Sequence, residues 1–228
     1  MTGAPSRTYS WYALGLLAFL NLLSFVNRNV IFALFDPIKR DLRLTDTQLG
    51  WLASGYVLVF ALAALPFGLL GDLRSRRGVI AWGVVLWSAC TLAGGFATDF
   101  GQLLLSRALV GAGGAAFGAA AQSLAADYFP SRGRAVAMGI LAAGITLGGV
   151  VGIWLGGRLE VSYGWRMALV SVSIPGFVLA GPAARLIDPV RPPRTISILA
   201  AWSELGMGLT ALARQFLPLL GGLAVGTV

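Results

Sequence analysis

Two arginines stand where arginine is costly. Arg28 and Arg107 both fall inside long apolar runs, and a guanidinium at the centre of a bilayer costs at least about 2.5 kcal/mol unless it is paired or hydrated. Arginine does not release its proton, so its chemistry is recognition of anions such as carboxylates and phosphates through charge-assisted hydrogen bonds. Counting helix rise, Arg28 lies about 20 Å from one surface and Arg107 about 10 Å from the other, so in a core of about 30 Å they share a level. They are expected to face one cavity. Tyr56 and Gln122, with Asn21 and Ser54, are polar groups in the same set of runs and are candidate lining residues; hydrogen bonding between helices is the alternative.

A second constellation is Pro66-Phe67-Gly68-Leu69-Leu70-Gly71-Asp72-Leu73-Arg74-Ser75-Arg76-Arg77-Gly78, a charged knot between two apolar runs. One acid and three arginines so close together cannot sit in hydrocarbon, so the chain must surface here and turn back. Asp72 is placed to cap a helix N-terminus or to pair with an arginine.

The elements that carry these residues follow from composition. Of 228 residues, 57% are hydrophobic and 11% charged, against about 25% charged in soluble domains. The 31 glycines lie mostly inside apolar segments, where close helix packing uses them. The 17 basic residues are scattered singly between those segments, which excludes a nucleic-acid face. Cys90 is alone and histidine is absent, so neither an intrachain disulfide nor a metal site is expected. Nothing pairs a nucleophile with a base, so no enzyme is expected either.

A crossing needs about 20 apolar residues, and six runs qualify, near 11–35, 49–70, 79–97, 100–126, 135–157 and 165–186. All are expected to be helical, because an unclosed strand would leave backbone groups unpaired in lipid. The first run is too long for a signal peptide and lacks a cleavage pattern. With the N-terminus inside, Arg7, Arg74, Arg76, Arg77, Arg132, Arg134, Arg185, Arg191 and Arg194 collect on the cytoplasmic side, against Lys39, Arg40, Arg43, Arg158 and Arg166 outside. That balance favours a cytoplasmic N-terminus. Residues 1–187 are expected to form the transmembrane domain, 188–214 a cytoplasmic linker with an interfacial helix, and 215–228 the truncated start of a seventh helix. Gly144, Gly148, Gly149, Gly152, Gly156 and Gly157 give the fifth run a flat stripe for close contact. Packing is the main role expected there, with hinge motion at Gly148 and Gly152 the alternative.

The knot resembles the motif between the second and third helices of the major facilitator superfamily, carried here by Gly68, Asp72, Ser75, Arg76 and Arg77, with Ser75 in place of the usual glycine. Arg107-Ala108-Leu109-Val110-Gly111-Ala112-Gly113 resembles the same superfamily's arginine-glycine-glycine motif in the fourth helix. Asp36-Pro37-Ile38-Lys39, Leu44-Thr45-Asp46-Thr47-Gln48-Leu49-Gly50, Asp127-Tyr128-Phe129-Pro130 and Gly164-Trp165-Arg166 are similar to the spinster-like branch. The fold implied is all-α and integral to the membrane: a six-helix bundle matching the N-terminal half of the superfamily fold, plus an incomplete seventh helix.

The resemblance implies a secondary transporter for a small organic solute, anionic or amphipathic, since spinster-like proteins handle lysolipids and related amphiphiles. It implies a gating role for Gly68, Asp72, Ser75, Arg76 and Arg77, which in the superfamily latch the two halves together. In spinster-like proteins an acid precedes the first-helix arginine and another follows the fourth-helix arginine by seven residues; here those places hold Asn27 and Gly114. Both departures remove negative charge from the cavity, so proton coupling through the family's usual acids is not expected, and the two arginines favour an anion. The partners expected are the bilayer, the solute, and either a second copy or a separately encoded second half; no cofactor is implied. The place expected is the cell (inner) membrane, spanned several times. The competing expectation is a transport-inactive membrane interaction protein derived from such a carrier.

Overall fold

Lipid offers a backbone no hydrogen-bond partners, and each apolar run has folded as a helix that satisfies its own. The computed structural model describes residues 6–129 and 131–189, without the side chains at 72, 73, 131 and 132. The expected linker beyond residue 189 and the expected seventh helix over 215–228 lie outside the described residues.

The helices are α1 (Arg7–Ala33), α2 (Phe35–Leu42), α3 (Asp46–Leu73), α4 (Arg76–Gly95), α5 (Phe100–Tyr128) and α6 (Ser131–Ala184). Among the described residues there is no strand. Starts are set by local chemistry. Thr45 and Gln48 form a reciprocal capping box on α3, the Thr45 N–H donating to Gln48 Oε1 at 2.9 Å. Asp99 caps α5, accepting from the Gln102 N–H at 3.0 Å.

Among the described residues, five helices are long and apolar enough to cross a membrane. The sixth crossing comes from α6. As one straight rod its 54 residues would reach about 80 Å, more than twice the hydrocarbon thickness. Gly164 breaks it, with φ 80° and ψ 164°, a backbone region open essentially to glycine alone. The expected fifth and sixth spans are therefore the two arms of α6 on either side of Gly164. The first outer loop differs from expectation, since residues 35–42 form the short helix α2. Its single buried side chain, Ile38, docks beside Leu34, Leu44 and Trp165.

Helix α1 packs chiefly on α6, while α3 and α4 pack chiefly on α5, and α4 also lies on α6. The close approaches are made at glycines. A Cβ added to Gly148 would stand 2.5 Å from the Leu22 carbonyl oxygen, and one at Gly152 2.8 Å from that of Val26. At Gly111 it would stand 2.5 Å from the Tyr56 carbonyl oxygen, and at Gly113 2.7 Å from the Trp87 nitrogen. Gly83 makes a similar contact with α5 that the sequence motifs do not flag.

The apolar core is in two clusters. One gathers Leu14, Leu17, Val84, Trp87, Phe117 and Leu124; the other gathers Val30, Leu34, Leu52, Leu103, Trp165 and Leu169. Near the junction of the two clusters lie most of the buried polar residues: Ser24 and Asn27 on α1, Ser88 and Thr91 on α4, Ser106 and Arg107 on α5, and Ser173 on α6. A polar belt thus crosses the middle of an otherwise apolar bundle.

Candidate functional site

Arg107 sits in this belt and is only 1% exposed. Its guanidinium reaches across to α1, donating to the Asn27 carbonyl at 3.2 Å, and to α4, donating to the Thr91 hydroxyl at 3.2 Å. Its Nε finds no partner, and no carboxylate pairs with it among the described residues. Arg28, on the same stretch of α1, lies over the Tyr56 ring at 5.1 Å and the Phe25 ring at 5.7 Å. Cation–π contact of this kind holds a guanidinium in place without neutralising it.

Both arginines line one cavity of about 470 Å³, walled otherwise by Ile31 and Phe32 of α1 and by Leu52, Ser54, Tyr56, Val57 and Leu58 of α3. Arg28 and Arg107 thus face the same space. The cavity exists because α1 and α3 do not pack on each other but each leans on other helices. A mostly apolar chamber with two cations is arranged to hold an anion whose remaining surface is greasy.

The other expected cavity residues are distributed differently. Asn27 is buried facing away from this cavity: its amide donates to the Leu23 carbonyl at 3.0 Å and to Val172 of α6 at 3.2 Å. It serves the site through its backbone, as the acceptor that anchors Arg107. Gly114 lies under Tyr56, where an added Cβ would stand 3.1 Å from the phenolic oxygen. Gln122 lines a separate cavity of about 210 Å³ with Asn21, whose amide donates to the Leu141 carbonyl at 2.7 Å.

The knot between α3 and α4 resolves into unlike residues. Arg74, Ser75 and Arg77 are exposed, and an added Cβ at Gly68 would meet nothing within 4 Å; the Asp72 side chain lies outside those described. Among the described charged side chains of the knot, Arg76 is the buried one, 3% exposed. Its guanidinium pairs with Asp127 at the end of α5, at 2.6 Å, and with Asp188 beyond α6, at 2.7 Å. Asp188 also accepts from the Arg76 backbone N–H at 2.6 Å, so it caps α4 where the Ser75 side chain makes no cap bond. Tyr9 accepts from the Ile187 N–H at 2.8 Å, and Tyr128 donates to the Ile187 carbonyl. Arg76 is therefore an internal clamp that fastens the exit of α6 to α4 and α5. The sequence motif named Arg76 but could not name its partners.

At the opposite end a smaller cluster ties α2 to the second arm of α6. Asp41 accepts from the Trp165 indole at 3.1 Å and from Arg166, and Arg166 also donates to the Ala97 carbonyl at 3.2 Å. The Arg166 guanidinium, and then the Trp165 N–H, hold the Asp41 carboxyl below its ordinary range.

A family model described as the Major Facilitator Superfamily matches residues 17–227. The chain belongs to the major facilitator superfamily. Among superfamily members it is similar to Protein spinster of Drosophila melanogaster, 32% identical over 193 residues, which is 82% of this chain and 32% of that protein. It is also similar to an MFS-type efflux pump of Mycolicibacterium smegmatis, 32% identical over 80% of this chain and 42% of that one. The sphingosine-1-phosphate transporter SPNS2 of Xenopus tropicalis is 30% identical over 72% of this chain and 34% of its own length. Among solved structures, the fold matches a bacterial homolog of the human lysosomal transporter spinster in an inward-facing, unoccupied conformation. The TM-score is 0.75 at 29% identity, covering 86% of this chain and 47% of that one. The chain thus spans less than half the length of these relatives, and within the superfamily it is spinster-like and crosses the membrane several times.

Proposed function

We propose that this chain forms the first half of an alternating-access carrier for an anionic, amphipathic organic solute, with Arg28 as the group that meets the anion. The observation that carries the reading is the position of Arg28: a guanidinium in an intramembrane cavity, held by two aromatic faces and with no ion-pair partner among the described residues. Arg107 supplies a second positive charge behind it and fixes α5 to α1. The relative named as a sphingosine-1-phosphate transporter supports an anionic amphiphile as cargo. Superfamily carriers place substrate between two halves that rock against each other, so a second half, in a longer chain, a second copy or a separate chain, completes the cavity. The N-terminus faces the cytoplasm of the cell membrane in this reading, in line with the excess of arginine at that end. With Asn27 and Gly114 in place of acids, binding does not depend on protonation of the cavity.

Cells producing the protein together with its completing half should take up or extrude a radiolabelled alkyl phosphate. Arg28→Gln should reduce that flux at least tenfold while leaving the protein in the membrane. Equal flux with and without Arg28 would refute the reading.

A further inference from the structure

A second cavity lies along α1 from the one that holds Arg28. Asn21, seven residues earlier on α1, is two turns along the same helix face. It lines the 210 Å³ cavity with Gly118 and Gln122 of α5 and with Met138, Leu141 and Ile145 of α6. The two cavities therefore stack along one side of α1, about 10 Å apart by helix rise. Between the two levels on α5 lies Gly114, whose missing side chain lets Tyr56 and Phe60 of α3 pack against α5, an added Cβ standing 3.1 Å from the Tyr56 hydroxyl.

The polar groups in the second cavity are unlike each other. The Asn21 amide nitrogen is committed to the Leu141 carbonyl, which fixes the side chain and leaves its oxygen as an acceptor. Gln122 is exposed, and its amide makes no hydrogen bond among the described residues. A glutamine kept for helix pairing would show its partner on a neighbouring helix. An added Cβ at Gly118, one turn before Gln122, would meet nothing within 4 Å, so the floor of this cavity is open. Donor and acceptor capacity is thus presented to an open, otherwise apolar niche, the arrangement by which a few polar groups fix a ligand's orientation.

We infer that the cargo is two-ended: an anionic group at Arg28, and a hydroxyl or amide about 10 Å away at Asn21 and Gln122, joined by an apolar chain. The inference rests on the anionic reading above and adds a specificity determinant to it. Gln122 and Asn21 select cargo by hydrogen bonding, independently of charge. A niche built to hydrogen-bond a hydroxyl discriminates against the analogue lacking it, because its own polar groups are then left unmatched.

The test is equilibrium binding of two probes, octyl phosphate and ω-hydroxyoctyl phosphate, to the full chain purified together with its completing half in detergent. Their alkyl chain matches the separation of the two polar ends. The hydroxylated probe should bind roughly five- to tenfold more tightly. Gln122→Leu should abolish that preference while leaving octyl phosphate affinity within twofold, which also reports a folded protein. Arg28→Gln should weaken both probes equally. Loss of the preference in the wild-type protein, or its survival in Gln122→Leu, overturns the two-ended cargo while leaving the anionic reading intact. A preference that depends on Gln122 with no effect of Arg28→Gln overturns the anionic end, and with it the two-ended cargo, while the niche stands. Failure of both probes to bind overturns both.

Discussion

The Arg107 guanidinium donates to the main-chain carbonyl of Asn27 at 3.2 Å, so the cation most deeply set in the bundle is held by a backbone oxygen and not by an acid. A buried charge without a counter-charge lowers stability, and its retention in a membrane core points to use. Replacing Arg107 by methionine, which keeps much of the volume, should leave thermal stability in detergent unchanged or raised. Affinity for an alkyl phosphate should fall at least tenfold. A large loss of melting temperature with binding preserved would make Arg107 a structural residue only.

Gly114 is the place to restore an acid. An added side chain there starts 3.1 Å from the Tyr56 hydroxyl, beside the ring over which Arg28 lies. Gly114→Glu should weaken alkyl phosphate binding at neutral pH, because its carboxylate competes for the arginine. Protonation removes that competition, so affinity should recover as the pH falls toward the carboxylate range near pH 4. The wild-type protein should show no such recovery. Binding isotherms across pH for both proteins check this.

Arg76 is the clamp of the α4 start. Its removal takes the ion pair away from two carboxylates, Asp127 and Asp188, with side chains 23% and 17% exposed. Breaking one side of a buried pair costs about 3 kcal/mol or more. Arg76→Ala should therefore lower the melting temperature markedly and expose the segment after α6 to protease. Arg77→Ala, on an exposed neighbour, should do neither.

Asp41 gives a pH signature at the opposite end. Its carboxyl is held below its ordinary range by Arg166 and Trp165, so its contribution is complete above the unfolded value, near pH 4, and is lost as pH falls through the lower folded value. Acid should loosen α2 from α6 in that window. Asp41→Asn should remove that part of the acid sensitivity, measured as the change in melting temperature between neutral and acid buffer. An unchanged acid response would show that the cluster contributes nothing.

The sequence made the crossings legible because length and apolarity alone define them: every expected run falls within α1, α3, α4, α5 or an arm of α6 to within a few residues. It also put Arg28 and Arg107 at one depth, because helix rise is regular. Helix α2 escaped notice because Asp36-Pro37 reads as a turn and one buried residue, Ile38, is enough to dock so short a helix. The partners of Arg76 were hidden for a different reason. Asp127 and Asp188 lie 51 and 112 residues away in the chain, and only the packing of α4, α5 and the exit of α6 brings them together. Asn27 was assigned to the cavity by resemblance, as the place where spinster-like proteins carry an acid, but adjacent helix residues point about 100° apart, and its side chain faces α6 while Arg28 lines the cavity.

The central claim is that the chamber between α1, α3 and α5 recognises an anion through Arg28. Calorimetric titration of the chain, purified with its completing half, with octyl phosphate and with octanol tests it most directly. The account predicts that the phosphate binds at least tenfold more tightly than the alcohol, and that Arg28→Gln brings the two affinities together. Equal affinity for both ligands in the wild-type protein, or a phosphate preference untouched by Arg28→Gln, would contradict it.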